Sequence, residues 1–351
     1  MKNKSDNILL RKITAVLLCI CMAFVLAACK NDAGVNNASS ENSVGNADEN
    51  LSYEAHDIKA AVLKGPTAIG MVKLMEEAKD NKAANRYEFN IAASADEFSA
   101  SLIKGDIQIA ALPCNAAAAL YNKSGGKIKV LGINTLGVLY IVENGDSVQS
   151  VSDLKGKTIY TTGKGTTPEY TLKYLLEKAG LNPDKDVNIE FKSEASEAVV
   201  MLASEEENTV AMLPQPYVTT AMMNNSDIRI ALDVTEEWER LADDGSTVVT
   251  GVIAVNSDYY NNNREAVEKF MEEYAASVEY VNENIDEAAQ LVEDFGIFKA
   301  DVAKKAIPYC NITFIRGDEM KSMVTKYLTV LNDANPLSIG GNMPDDGFYA
   351  Q

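Results

Sequence analysis

Histidine occurs once in the 351 residues, at position 56, so any mechanism needing two imidazoles is excluded. Tryptophan also occurs once, at 238. Cysteine is scarce, with five residues and no CxxC pair, and neither HExxH nor DxDxDG is present, so no metal site can be argued. Basic residues are outnumbered, 32 against 51 acids, and the net charge is −19. Such a field repels nucleic acid and anionic membrane surfaces alike. The apolar run at 13–28 has 16 residues, short of the roughly 20 that span a bilayer as a helix. No GxSxG elbow is present, and Gly163-Lys164-Gly165-Thr166-Thr167-Pro168 lacks the Lys-Ser/Thr ending of a P-loop. The acid runs at 205–207 and 236–239 read as solvated helix faces, not paired catalytic carboxylates.

What is there begins with addressing. Lys2, Lys4, Arg11 and Lys12 precede the 13–28 run, which ends Leu26-Ala27-Ala28-Cys29. A basic start and a short apolar core read as a secretion signal, 1–28. Its end resembles the bacterial lipobox, which implies diacylation of Cys29 and attachment to the outer face of the cytoplasmic membrane. A plain cleaved signal or an uncleaved anchor are the alternatives. Loss of 1–28 takes the charge to −22. Residues 29–56 are rich in Asn, Ser, Ala, Asp, Glu and Gly, a composition that buries too little to fold and reads as a flexible tether. The folded part is expected over about 57–341. Cys19 and Cys21 leave with the signal, so Cys114 and Cys310 either pair or remain two semi-buried thiols.

From 58 onward apolar β-branched runs alternate with helical patterns. Strands are expected at 58–63, 87–93, 107–112 and 128–133, with helices at 69–79, 96–104 and 114–123 between them. After a strand at 139–143 the pattern restarts through 158–233, and a strand at 248–255 leads into a helical tail. Alternation of this kind implies βαβ units. The expected fold is α/β: two doubly wound lobes joined by crossing hinge segments near 135–146 and 245–251, with a C-terminal helical tail. Lobe 1 takes 57–143 plus 248–341, and lobe 2 takes 144–247.

In open α/β sheets ligands bind beyond the carboxyl ends of the strands. The strand-to-helix turns there hold Gly65 and Thr67, Ser94, Asn115, then Lys164, Thr166 and Thr167, then Gln215 and Tyr217. Each is a candidate ligand contact, because helix starts offer backbone N–H groups beside hydroxyls and amides; simple capping is the alternative at each. Thr67 can cap its helix, and Gly70 lets a neighbour approach the first turn. Trp238 either packs between lobes or forms a stacking wall for a flat ligand.

Several segments resemble a family. The lipobox, the acidic tether, Gly65-Pro66-Thr67 and above all Asp153-Leu154-Lys155-Gly156-Lys157 within 151–159 are similar to substrate-binding lipoproteins of bacterial ABC importers. The nearest group is the nitrate/sulfonate/taurine and thiamine-precursor kind, with the type II periplasmic-binding fold. Gly105-Asp106-Ile107-Gln108-Ile109-Ala110 resembles its third strand, and Pro214-Gln215-Pro216-Tyr217 its Glu-Pro turn, with Gln in place of Glu. The resemblance implies a monomeric, non-enzymatic solute-binding protein that needs no cofactor or metal, closes on a small molecule and docks on a permease. The loop side chains, with Lys164 their single cation, suit a small polar organic metabolite of pyrimidine-like character. An organic anion of sulfonate or taurine type is the alternative, as is a ligand-sensing surface lipoprotein. Enzymes of this fold use a histidine-bearing site, for which His56 is misplaced.

Overall fold

The computed structural model describes residues 53–204 and 209–351. The expected signal peptide, Cys29, most of the tether and the acid run at 205–207 lie outside the described residues. In chain order the strands are β1 (Asp57–Leu63), β2 (Arg86–Ala92), β3 (Ile109–Pro113), β4 (Ile128–Leu136), β5 (Leu139–Asn144), β6 (Thr158–Thr161), β7 (Asn188–Phe191), β8 (Thr209–Pro214), β9 (Ile228–Asp233), β10 (Val249–Asn256) and β11 (Ile312–Ile315). The helices are α1 (Pro66–Ile69), α2 (Val72–Lys79), α3 (Ser99–Lys104), α4 (Cys114–Ser124), α5 (Thr167–Lys178), α6 (Ala195–Ser204), α7 (Tyr217–Asn224), α8 (Val234–Leu241), α9 (Ser257–Asn262), α10 (Arg264–Glu283), α11 (Ile285–Asp294), α12 (Ala300–Ala306) and α13 (Gly317–Ala334).

Two sheets form, in the orders β11-β4-β10-β3-β1-β2 and β7-β6-β8-β5-β9. Each has a parallel βαβ part: β1 pairs with β2 and β3, and β6 with β7 and β8. Each also holds one strand that arrives from the other sheet and runs antiparallel to its neighbours, β10 in the first and β5 in the second. The local chemistry is plain in β3 and α4. Ile109-Ala110-Ala111-Leu112 is buried on both faces, as a central parallel strand requires. It passes into a helix containing Ala116, Ala117, Ala118 and Ala119, the best helix former, which Gly125 ends in the left-handed region at φ 67°.

Five expectations need correction. The strand at 139–143, expected in lobe 1, belongs to the second sheet, because the chain changes sheets at Gly137-Val138 with no loop to mark the step. A Cβ on Gly137 would lie 1.7 Å from Thr235 Oγ1, so the crossing is kept tight by glycine. The fold also continues past 341: Ala350 N–H donates to Val130 O at 2.9 Å, and Phe348 and Tyr349 are buried. The last tether residues are docked, with the Tyr53 hydroxyl and the His56 N–H both on Asn85 Oδ1. The helix expected at 69–79 is two pieces broken at Gly70-Met71. Strand β11 was not expected at all, being four residues inside a tail read as helical.

Cys114 and Cys310 are both free and buried, and burial pushes both thiols up. Trp238 is fully buried, its indole N–H donating to Ser246 Oγ at 2.9 Å and its ring stacked 4.0 Å from Tyr174 and tilted against Tyr327 of α13 at 5.7 Å. It is packing, not a ligand wall.

Candidate functional site

Strands β1, β3 and β8 end at Leu63, Pro113 and Pro214, and these three ends face one cleft of about 540 Å³. Ser94, Asn115, Thr166 and Thr167 line it, together with Val138, Leu139 and Thr250 from the crossing strands. Helices α4 and α5 start on its two sides. There the Thr167 hydroxyl donates to Asn115 Oδ1 at 2.8 Å, a hydrogen bond from one sheet's helix to the other's. Asn115 is 9% exposed and Thr167 7%. The Asn115 amide nitrogen in turn donates to Ser338 O at 3.2 Å, which fixes the side chain's orientation.

The other expected contacts are arranged differently. Ser94 lines the cleft and also caps a short 3-10 turn, its hydroxyl accepting the Asp96 N–H at 3.3 Å. Thr166 lines the cleft, and its hydroxyl donates to Gly163 O at 2.6 Å. Thr67 neither caps nor lines: its hydroxyl bonds back to Leu63 O at 2.8 Å. Gly65 holds φ 141° at the turn into α1, a conformation open to glycine. Gly70 does allow close approach, but by protein: a Cβ there would lie 2.9 Å from Ile312 Cγ2 and 3.0 Å from the Tyr274 hydroxyl. Lys164 Nζ lies over the Phe191 ring, 5.8 Å from its centre. Gln215 is buried, its Oε1 accepting from the Thr219 hydroxyl at 2.8 Å, and lines a separate cavity. Tyr217 lines a neighbouring cavity and meets Phe298 edge-on at 5.7 Å. Burial raises its hydroxyl.

The turn residues missed by sequence reasoning are Asp96 and the prolines; those from the crossings are Val138, Leu139 and Thr250. Leu139 and Thr250 lie on strands and Val138 at the step between β4 and β5, where no helix-start rule looks for them. Their signal was the position of the crossings themselves. Near the cleft, burial alone would raise the Glu169 carboxyl. Hydrogen bonds from Lys173 Nζ and the Gly165 N–H outweigh burial and hold it below the ordinary range. Among the described residues no group of His, Cys, Asp and Glu is placed to hold a metal ion.

Residues 77–301 match the family described as ABC transporter, phosphonate, periplasmic substrate-binding protein. The chain belongs to that family. This binding protein is 26% identical to an ABC transporter structure from Parabacteroides distasonis, with a TM-score of 0.71 over 84% of this chain and 98% of that one. The periplasmic aliphatic sulphonate binding protein of Escherichia coli shares its fold at 15% identity and a TM-score of 0.66, covering 81% and 94%. The alkanesulfonate-binding protein of Xanthomonas axonopodis, bound to MOPS, does so at 14% and 0.60, covering 82% and 94%. No curated protein matches the chain. The fold of this binding protein is therefore the periplasmic-binding fold, and its family comprises substrate-binding proteins rather than enzymes. No described helix is long and apolar enough to cross a membrane.

Proposed function

We propose that this chain captures a small polar organic metabolite between its two sheets and delivers it to the permease of its importer. It acts as a monomer, held at the outer face of the cytoplasmic membrane by lipid on Cys29. The observation that carries the reading is the Thr167–Asn115 hydrogen bond, which places polar groups of both lobes 2.8 Å apart at the wall of one cleft. A ligand seated there touches both lobes only when they are closed, so its binding favours closure. An organic acid of sulfonate type is the second reading. It is favoured by the start of α4, which has neither a side-chain cap nor an acid in its first turn.

Titration calorimetry against pyrimidines, alkanesulfonates and alkylphosphonates tests capture. Asn115→Ala and Thr167→Val should each weaken the best ligand roughly 2- to 15-fold, as one neutral hydrogen bond contributes. Parental affinity in both variants removes this cleft from the function. For the anchor, Cys29→Ser should release the chain from the membrane and abolish the acylated mass; unchanged retention and mass would show that Cys29 carries no lipid.

A further inference from the structure

The cleft has a charge pattern that a phosphonate-binding description does not anticipate. Asp96 is the one charged side chain lining it among the described residues, and no Lys or Arg does. Two of the turns around it already carry carboxylates, whereas the first turns of α1, α4 and α7 carry none. Glu97 Oε1 accepts the Ala93 and Ser94 N–H groups, both at 2.9 Å. Glu169 Oε2 accepts the Gly165 N–H at 2.6 Å in the first turn of α5. Proline removes further donors: Pro168 stands in that same first turn, and Pro113 and Pro216 immediately precede α4 and α7. Lys164 is exposed with its Nζ 5.8 Å from the centre of the Phe191 ring, and Lys64 lines the neighbouring cavity. A doubly charged oxyanion would therefore meet the Asp96 carboxylate, with Glu97 and Glu169 behind the wall, and no lining cation to offset them. Asp96 is exposed, so the repulsion is a bias against anions that salt weakens.

We infer that the cleft selects a net-neutral organic molecule. Its acceptor end, a carbonyl-type oxygen, sits at the start of α4, its donor end reaches Asp96, and its apolar body rests on Leu63, Val138, Leu139 and the cleft prolines. This rests on the capture reading above and narrows its ligand class. Asn115, held between Ser338 O and the Thr167 hydroxyl, completes the acceptor end with the second hydrogen of its amide.

The test uses methylphosphonate and ethanesulfonate as probes of the mature chain. Wild type should show no saturable binding of either up to about 1 mM by calorimetry, and Asp96→Arg should take methylphosphonate at least roughly tenfold more tightly than wild type. Saturable binding of either probe by wild type overturns the inference. So does an Asp96→Arg protein that melts like its parent yet gains no affinity, because Asp96 would then not set the cleft's charge. Asp96→Lys serves the same purpose should the arginine variant melt early. A wild type that binds methylphosphonate and grows more compact in X-ray scattering would leave capture standing and sink only the charge selection.

Discussion

Glu143 shows what a single residue does for this fold. Its carboxylate is 0% exposed at the end of β5. It accepts the Ser147 and Val148 N–H groups at 3.0 Å each and the Ser147 hydroxyl, and Arg229 stands 3.0 Å away. Burial pushes the carboxyl up, but the hydrogen bonds and then the guanidinium outweigh it and leave the group below its ordinary 4.5. A carboxyl with a lower pKa when folded than when unfolded stabilises fully above the unfolded value. That contribution fades as pH falls through the folded value. Thermal melts of wild type should therefore drop steeply below about pH 4.5. Glu143→Gln should melt lower at pH 7, by the loss of roughly 1.5–3 kcal/mol that a hydrogen bond to a charged group contributes, and should lose part of the acid-side slope. Equal melting curves for the two proteins from pH 7 to pH 3 would show that Glu143 holds nothing together. The sequence offered no hint of this, because Glu143 and Arg229 are 86 residues apart and meet only through strand pairing.

At the scale of elements, the strand-to-helix alternation was legible because parallel strands buried on both faces leave runs such as Ile109-Ala110-Ala111-Leu112. The turns after β1, β3, β6 and β8 were legible for the same reason. Which side chains of a turn face the cleft was not. Thr67 and Asn115 each follow a proline at a helix start, yet Thr67 bonds back to its own strand while Asn115 reaches across to Thr167. That difference is set by the neighbour each helix packs on, information held elsewhere in the chain. Gly70 makes the same point. A glycine in a first turn invites a ligand reading, and the occupant of the space is Tyr274 with Ile312, more than 200 residues away. The crossing strands escaped placement because β4 and β5 are separated by two residues. A change of sheet needs no turn chemistry when the strand simply continues.

At the scale of the whole molecule, the two interlobe flanks differ in kind. On one, a continuous apolar core runs through both sheets and α13, with Val130 and Ile133 of the first sheet, Val210 and Leu232 of the second, and Tyr327 and Leu328 in one cluster. Separating the lobes there would expose all of that surface at roughly 25 cal/mol per Å². On the other flank the contacts are few: the Tyr140 hydroxyl donates to Tyr309 O at 2.9 Å, and Tyr217 meets Phe298. Beside them lies a cavity lined by Met222, Met223, Lys305 and Tyr309. The proposed closure therefore predicts a hinge on the α13 flank and an opening on the Tyr309 flank. Spin labels at Met223 and Lys305, both exposed and on opposite sides of that cavity, should change their mutual distance when a molecule that calorimetry has shown to bind is added. Trp238 emission should stay constant, because its contacts with Tyr174 and Tyr327 lie within the apolar core of the α13 flank. A shift in Trp238 emission with an unchanged label distance would put the hinge on the opposite flank, and the apolar core would then be the surface that slides.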